Sequence, residues 1–215
     1  MTDKRRRYKS PTRQAQSRQT RTRVLAAAHD LFVRRGFTVT VGEIAAQAGV
    51  SSATIELRFG TKAALLNTVV DVALAGDDEP VPILDRRWVH DLKTRGASDF
   101  LASAGTAFAA GAHRVAPVLR AVDEASARST ALTELTERLA HQRRVMATYV
   151  VSEVVSRDAL ATDLTATQAT ETVLVLLDPM LHRRLLIDHG WSTDRFGTWL
   201  GRSLQRLLLD PPIAE

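Results

Sequence analysis

The sequence predicts an all-α fold, and three observations predict it. Apolar residues recur three and four positions apart along most of the chain, the period of one helix face. No stretch alternates with period two for long enough to make a strand. Two Thr-x-x-Glu/Gln boxes, Thr40 to Glu43 and Thr165 to Gln168, mark helix starts. The chain has 215 residues, 45% of them hydrophobic, which suits one or two domains with a sizeable core.

Residues 1–16 lack apolar periodicity and are expected to form a disordered arm. From Ser17 the pattern turns helical, with Val24, Ala28, Leu31 and Phe32 on one face. Gly36 is placed to stop this helix, and Arg34 and Arg35 suit its last turn. Val41, Ile44, Ala45 and Ala48 form the stripe of a second, short helix that Gly49 ends. Ser51 caps a third, which carries Ile55 and Phe59 on one side. Thr61 caps a fourth, with Leu65, Val69 and Val72 inward. Residues 76–82 hold two prolines and three acids and read as a connector. A short helix near 85–94 follows and ends at Gly96. The remaining pattern predicts helices near 98–114, 117–128, 131–157, 166–189 and 193–209. Pro117 is expected in a first helical turn, and Pro179 inside a helix, where it must kink it.

Charge is unevenly spread. Residues 1–23 hold nine Lys or Arg against one acid, a charge of +8, so the rest of the chain carries −3 of the total of +5. A basic arm on a near-neutral body points to phosphate as a partner. There is no cysteine, which removes disulfides and thiolate chemistry and fits a cytoplasmic setting. No apolar run approaches the roughly 20 residues of a membrane span, so no membrane association is expected. The six histidines (His29, His90, His113, His141, His182, His189) show no paired zinc spacing. Glycine-rich phosphate loops and acid–base clusters are absent. No catalytic role, metal or cofactor is therefore expected.

The strongest local signal is the pair of short helices joined through Ala48, Gly49, Val50 and Ser51. Gly49 can take the positive φ of a tight interhelical turn. Val50 can bury between the helices and fix their angle. The second helix of such a pair presents its N-terminal residues to base edges in the major groove of double-stranded DNA.

On these residues the chain resembles the tetracycline-repressor (TetR) family. The matching stretches are VLAAAHDLFVRRGF (24–37), TVGEIAAQAGVS (40–51) and TIELRFGTKAALL (54–66), about a quarter of the chain. LLDPMLHRRLLIDHGWSTDRF (176–196) also resembles the last helices of actinobacterial-type members. The resemblance implies a DNA-binding head over 17–75, with its helix-turn-helix at about 40–60. It implies an effector-binding and dimerisation body over 76–215. Thr40, Ser51, Ser52, Ala53, Thr54, Glu56, Leu57, Arg58 and Lys62 are the expected DNA contacts. Thr40 and Lys62 would clamp phosphate at helix N-termini, and Arg58 would meet a guanine or a phosphate. Two departures stand out. The loop Thr38–Val39 is a residue short, and Glu56 stands where the family usually has a phosphate-binding Tyr. A carboxylate is repelled by phosphate but can accept from cytosine N4. Glu56 thus reads a base, points away, or weakens binding, and an altered contact is the expectation.

The resemblance further implies a homodimer on a palindromic operator, its half-sites about 34 Å apart. The dimer contact would come from Leu177, Leu181, Arg184 and Leu185 on one helix and Phe196, Leu200, Ser203, Leu204 and Leu207 on the last. A small, mainly apolar effector would sit among Trp88, Phe100, Phe108, Met146, Tyr149 and Met180, with His113 and His141 for polar contact. The alanine-rich run 102–112 allows either a hollow or a close helix approach. A ligand-released repressor is the reading that results. Two alternatives stand beside it. One is a DNA-binding dimer governed by a protein partner without a small-molecule pocket. The other is an enzyme on a helical body, which the missing acid–base or metal cluster opposes.

Overall fold

The computed structural model describes residues 11–126 and 130–211, and every regular element among them is helical. Helix α1 spans Pro11–Arg35 and is followed by a 3-10 turn at Gly36–Thr38. Next come α2 (Val41–Ala48), α3 (Ser52–Phe59) and α4 (Lys62–Ala75). A 3-10 turn at Ile83–Asp85 leads to α5 (Arg87–Lys93). The long pair α6 (Ala97–Ser126) and α7 (Thr130–Val155) follows. The chain closes with α8 (Ala166–Leu176), α9 (Pro179–Arg183), a π turn at Arg184–Asp188, and α10 (Thr193–Leu208). No helix among the described residues is long and apolar enough to cross a membrane.

Helix α1 starts at Pro11, six residues before the apolar pattern begins at Ser17. Proline suits a first turn because its missing N–H has no intrahelical partner there. Of the expected arm, residues 1–10 lie outside the described residues. Gly36 takes φ 65° and ends α1 as anticipated.

Two prolines exchange the roles expected of them. Pro117 lies inside α6, so the anticipated helices at 98–114 and 117–128 are one. Pro179 is the first residue of α9, so the anticipated helix 166–189 is broken. The preceding residue explains both. Asp178 caps α9, its Oδ1 accepting the Met180 N–H at 2.7 Å. Ala116 has no side chain that could cap. Pro117 is also exposed, so solvent can satisfy the carbonyl that its ring deprives of a donor.

The buried residues form two clusters. One joins α1–α4 to Val115, Val118 and Val122 of α6 and to Leu132 and Leu135 of α7. The other joins Phe100, Leu101 and Ala109 of α6 to α8, α10 and the far end of α7. Side chains such as Phe32, Ile44, Phe100 and Leu200 are fully buried, each stabilising by about 1.5–3 kcal/mol. The connector after α4 is held by Arg86, which is buried, ion-paired to Asp77 and donates to the Val81 carbonyl at 3.3 Å.

The second cluster is closed by bare backbone. A Cβ at Gly105 of α6 would lie 2.3 Å from the Gly201 nitrogen of α10 and 2.8 Å from the Gly197 carbonyl. A Cβ at Gly201 would lie 2.9 Å from Ala102 Cα. Of the two possibilities for the run 102–112, close helix approach is the one realised here.

Candidate nucleic-acid interface

The geometry of the head is set by caps. Thr40 Oγ1 accepts the Glu43 N–H at 3.2 Å, and Glu43 Oε2 accepts the Thr40 N–H at 2.8 Å. Arg35 reaches Glu43 Oε1 at 2.6 Å. The Thr40 N–H, Arg35 and the Thr40 hydroxyl together hold the Glu43 carboxyl down to about 2. Gly49 takes φ 66°, ψ 42°, and its N–H closes α2 on the Ala45 and Ala46 carbonyls. Val50 is half-buried against the first core cluster, which sets the angle between α2 and α3. Ser51 Oγ accepts the Thr54 N–H at 3.2 Å and starts α3. Thr61 caps α4 in the same way, at 3.1 Å from the Ala64 N–H.

On α3 the split between faces is sharp. Ile55 and Phe59 are buried, while Ala53, Glu56, Leu57 and Arg58 are exposed. Ser52 and Thr54 are half-buried, and the Thr54 hydroxyl lies 2.9 Å from Ser51 Oγ. Two expected DNA contacts point elsewhere. The Arg58 guanidinium lies back on α1, donating at 3.0 Å to the Ser17 carbonyl and to Ser17 Oγ. The Lys62 ammonium donates to the Phe37 and Val39 carbonyls at 2.8 and 3.0 Å and sits 4.1 Å from the Phe37 ring centroid. Partial burial lowers its pKa from the usual lysine value. Lys62 therefore fastens the turn after α1 to the start of α4. Arg21 pairs with Asp78 at 2.6 Å while lying over the Phe59 ring, so α1 is tied to α3 and to the connector.

Helix α4 is clamped to the body by two arginines. Arg114 of α6 donates at 2.9 Å to each of the Ala73 and Leu74 carbonyls, satisfying the end of α4. Arg138 of α7 bonds Asp71 at 2.8 Å.

The residues expected to surround an effector differ in exposure. Phe100 is buried edge-on against Tyr149, at 6.3 Å between ring centroids. Phe108 and Met146 are half-buried. Trp88, Met180, His113 and His141 are exposed. Two surface hollows lie elsewhere, one lined by Arg23, Ala26, Ala27, Gln47 and Ala48, the other by Asp158, Ala159, Leu160, Thr162, Leu209 and Asp210. His182 is 4% exposed. It packs edge-on against Phe196, with the His113 ring 6.4 Å away, and its Nε2 has no hydrogen-bond partner. Burial, and then His113, hold its pKa below the usual histidine value. The break at Asp178–Pro179 turns it inward, and no periodicity in the sequence announced that.

The expected dimer residues divide. Phe196, Leu200 and Leu204 are at most 2% exposed within one chain, because they pack on α6 in the second core cluster. They cannot also face a partner. Leu177, Leu181, Leu185 and Ser203 are half-buried, and Arg184 and Leu207 are exposed. The apolar side chains that do face outward nearby are Val175, Met180 and Ile187, up to 72% exposed.

Residues 24–69 match the family model for bacterial regulatory proteins of the tetR family. No curated protein sequence matches the chain. Among solved structures, a protein described as a TetR-family transcriptional regulator from Rhodococcus sp. aligns with a TM-score of 0.68 at 15% identity, over 89% of this chain and 99% of that one. NalD, the secondary repressor of the MexAB-OprM multidrug efflux pump in Pseudomonas aeruginosa, aligns at 0.64 and 21% identity, over 90% and 97%. A protein described as a transcriptional regulator from Saccharomonospora viridis, in complex with choline, aligns at 0.63 and 20% identity, over 91% and 100%. Residues 24–69 thus match the sequence model of the tetR-family regulatory proteins, and the chain as a whole has the fold of the solved structures described as TetR-family regulators.

Proposed function

We propose that the protein is a cytoplasmic transcriptional repressor. As a homodimer it binds a palindromic operator through residues 40–62, and a small, mainly apolar molecule bound in the body releases it. It works by binding rather than by catalysis. The observation that carries this reading is the α2–turn–α3 unit. It is capped at each start, closed by Gly49 in the left-handed region, and backed by a buried core, with one face of α3 open. Thr40, Ser51, Ser52, Ala53, Thr54, Glu56 and Leu57 are the proposed contacts. Arg58 and Lys62 join them if their bonds to Ser17, Phe37 and Val39 exchange for phosphate. The basic segment 1–23 adds affinity that salt screens.

Release requires that the effector bind two states of the body unequally. Helix α4, held by Arg114 and Arg138, is the link through which the body would move the heads. NalD is described as a repressor, and the Saccharomonospora viridis protein holds choline. For the dimer, the exposed Val175, Met180, Ile187 and Leu207 offer an apolar surface on the last elements.

A second reading is favoured by the closed α6–α10 contact. Here a protein partner, not a small molecule, governs the DNA-bound dimer. A thermal-shift screen separates the two: small apolar ligands that raise the melting temperature and weaken DNA binding support the first. The primary test is titration of fluorescent duplexes from the protein's own promoter region at low salt, with light scattering for mass. Binding by a species of twice the chain mass is expected. A strict monomer, or no binding to any upstream fragment, overturns the proposal.

A further inference from the structure

Four carboxylates fall between residues 14 and 75, and three are engaged. Asp30 pairs with Arg34 and Gln47, Glu43 with Thr40 and Arg35, and Asp71 with Arg138. The side chain of Glu56 has no partner among the described residues. Its neighbour Leu57 is 89% exposed, more than any other large apolar side chain among them. Both lie on α3 away from buried Ile55 and Phe59. Ala53, one turn earlier, lets the backbone come close. Arg58, the other long side chain there, is drawn back to Ser17. The open tip of α3 therefore presents one acceptor and one apolar group.

Chemistry limits what such a tip can read. An ionised carboxylate only accepts hydrogen bonds. Phosphate, guanine O6 and N7, and thymine O4 are acceptors and repel it. The donors in the major groove are cytosine N4 and adenine N6, and adenine sets its N7 acceptor beside N6. Cytosine is the better partner. A leucine makes no hydrogen bond, and the apolar group in the groove is the thymine C5-methyl. Resting on the proposed DNA-binding reading, we infer that Glu56 and Leu57 read a cytosine and a neighbouring thymine in each half-site.

The test is selection of duplexes from a randomised pool by the full chain, followed by affinity measurements on the selected site. A half-site with cytosine next to thymine is expected. Glu56→Gln exchanges the acceptor for the amide pattern that suits adenine, so its selected site should change from cytosine to adenine at that position alone. Replacing the thymine by deoxyuridine deletes one methyl and should weaken the wild type about fourfold, while Leu57→Ala should bind both sites equally. Both side chains are exposed, so unchanged melting temperatures confirm intact folds. A wild-type site that Glu56→Gln selects unchanged, bound equally with thymine or uracil, overturns the inference and leaves the DNA-binding reading standing. A wild type that selects no sequence overturns both.

Discussion

The head and the α6–α10 pair hold helices together in opposite ways. In the head, α2, α3 and α4 are fastened by polar ties: the Thr40–Glu43 box, the Ser51 and Thr61 caps, Lys62 on two carbonyls, and Arg58 on Ser17. Between α6 and α10 the contact depends on missing side chains, at Gly105, Gly197 and Gly201. Polar ties can yield one at a time. Backbone against backbone cannot yield without a shift of the whole helix.

The largest expected effect comes from the bare contact. Gly105→Ala gains about 1 kcal/mol of helix propensity but places a methyl 2.3 Å from the Gly201 nitrogen. Overpacking of this kind costs about 1–3 kcal/mol, and more where backbone must move. The clash wins, and the melting temperature should fall by about 4 °C or more. An equal or higher melting temperature would show that α10 slides freely. Next in size is Lys62→Met, which keeps the stem and removes the ammonium from the Phe37 and Val39 carbonyls. Bonds to a charged group contribute about 1.5–3 kcal/mol when buried, and partial exposure trims this to roughly 1–2 kcal/mol. A urea midpoint unmoved by the change would mean that these ties are incidental.

Gly42→Ala sharpens the contrast, because the same substitution should have the opposite sign in the head. A Cβ there meets Thr40 Oγ1 at 3.8 Å and Ser52 Oγ at 3.9 Å, ordinary contacts. The helix gain of about 0.5–1 kcal/mol then stands alone, and the midpoint should rise. A fall would place an unseen constraint at the start of α2. Smallest is the acid dependence of the Thr40–Glu43 box. The Glu43 carboxyl titrates at about 2 in the fold against an ordinary 4.5, so the unfolded chain binds the proton first. Its contribution is complete above pH 4.5 and is lost as pH falls toward 2. Glu43→Gln should flatten the stability profile in that window, so that the variant falls short of the wild type above pH 4.5 and the two converge toward pH 2. Parallel profiles would remove the carboxylate from the account.

The same contrast explains what the sequence made legible. The caps of α2, α3 and α4 are legible in the sequence, because Thr40, Ser51 and Thr61 act on N–H groups three residues away. Gly49 was readable for the same local reason. The α6–α10 contact was only half-readable: small residues at 102–112 announce close approach or a hollow, and a long-range partner decides which. Pro117 and Pro179 were exchanged because the deciding residue was the one before each. Phe196, Leu200 and Leu204 are covered by their own chain, which an apolar stripe alone does not disclose. Lys62 and Arg58 were read from their place at the start of α4 and on the exposed face of α3, whereas their nearest acceptors lie 23 to 41 residues away.

Helix α6 passes through both core clusters, gripped near one end at Gly105 and packed against the head by Val115, Val118 and Val122. It thus has the mechanics of an oar in a rowlock. From Gly105 to Val122 the shaft measures about 25 Å at 1.5 Å per residue, so a tilt of about 5° at the grip sweeps the blade by about 2 Å. Arg114 rides on that shaft and holds the end of α4, so in the proposed repressor a stroke too small to open the body would still carry the end of α4 sideways.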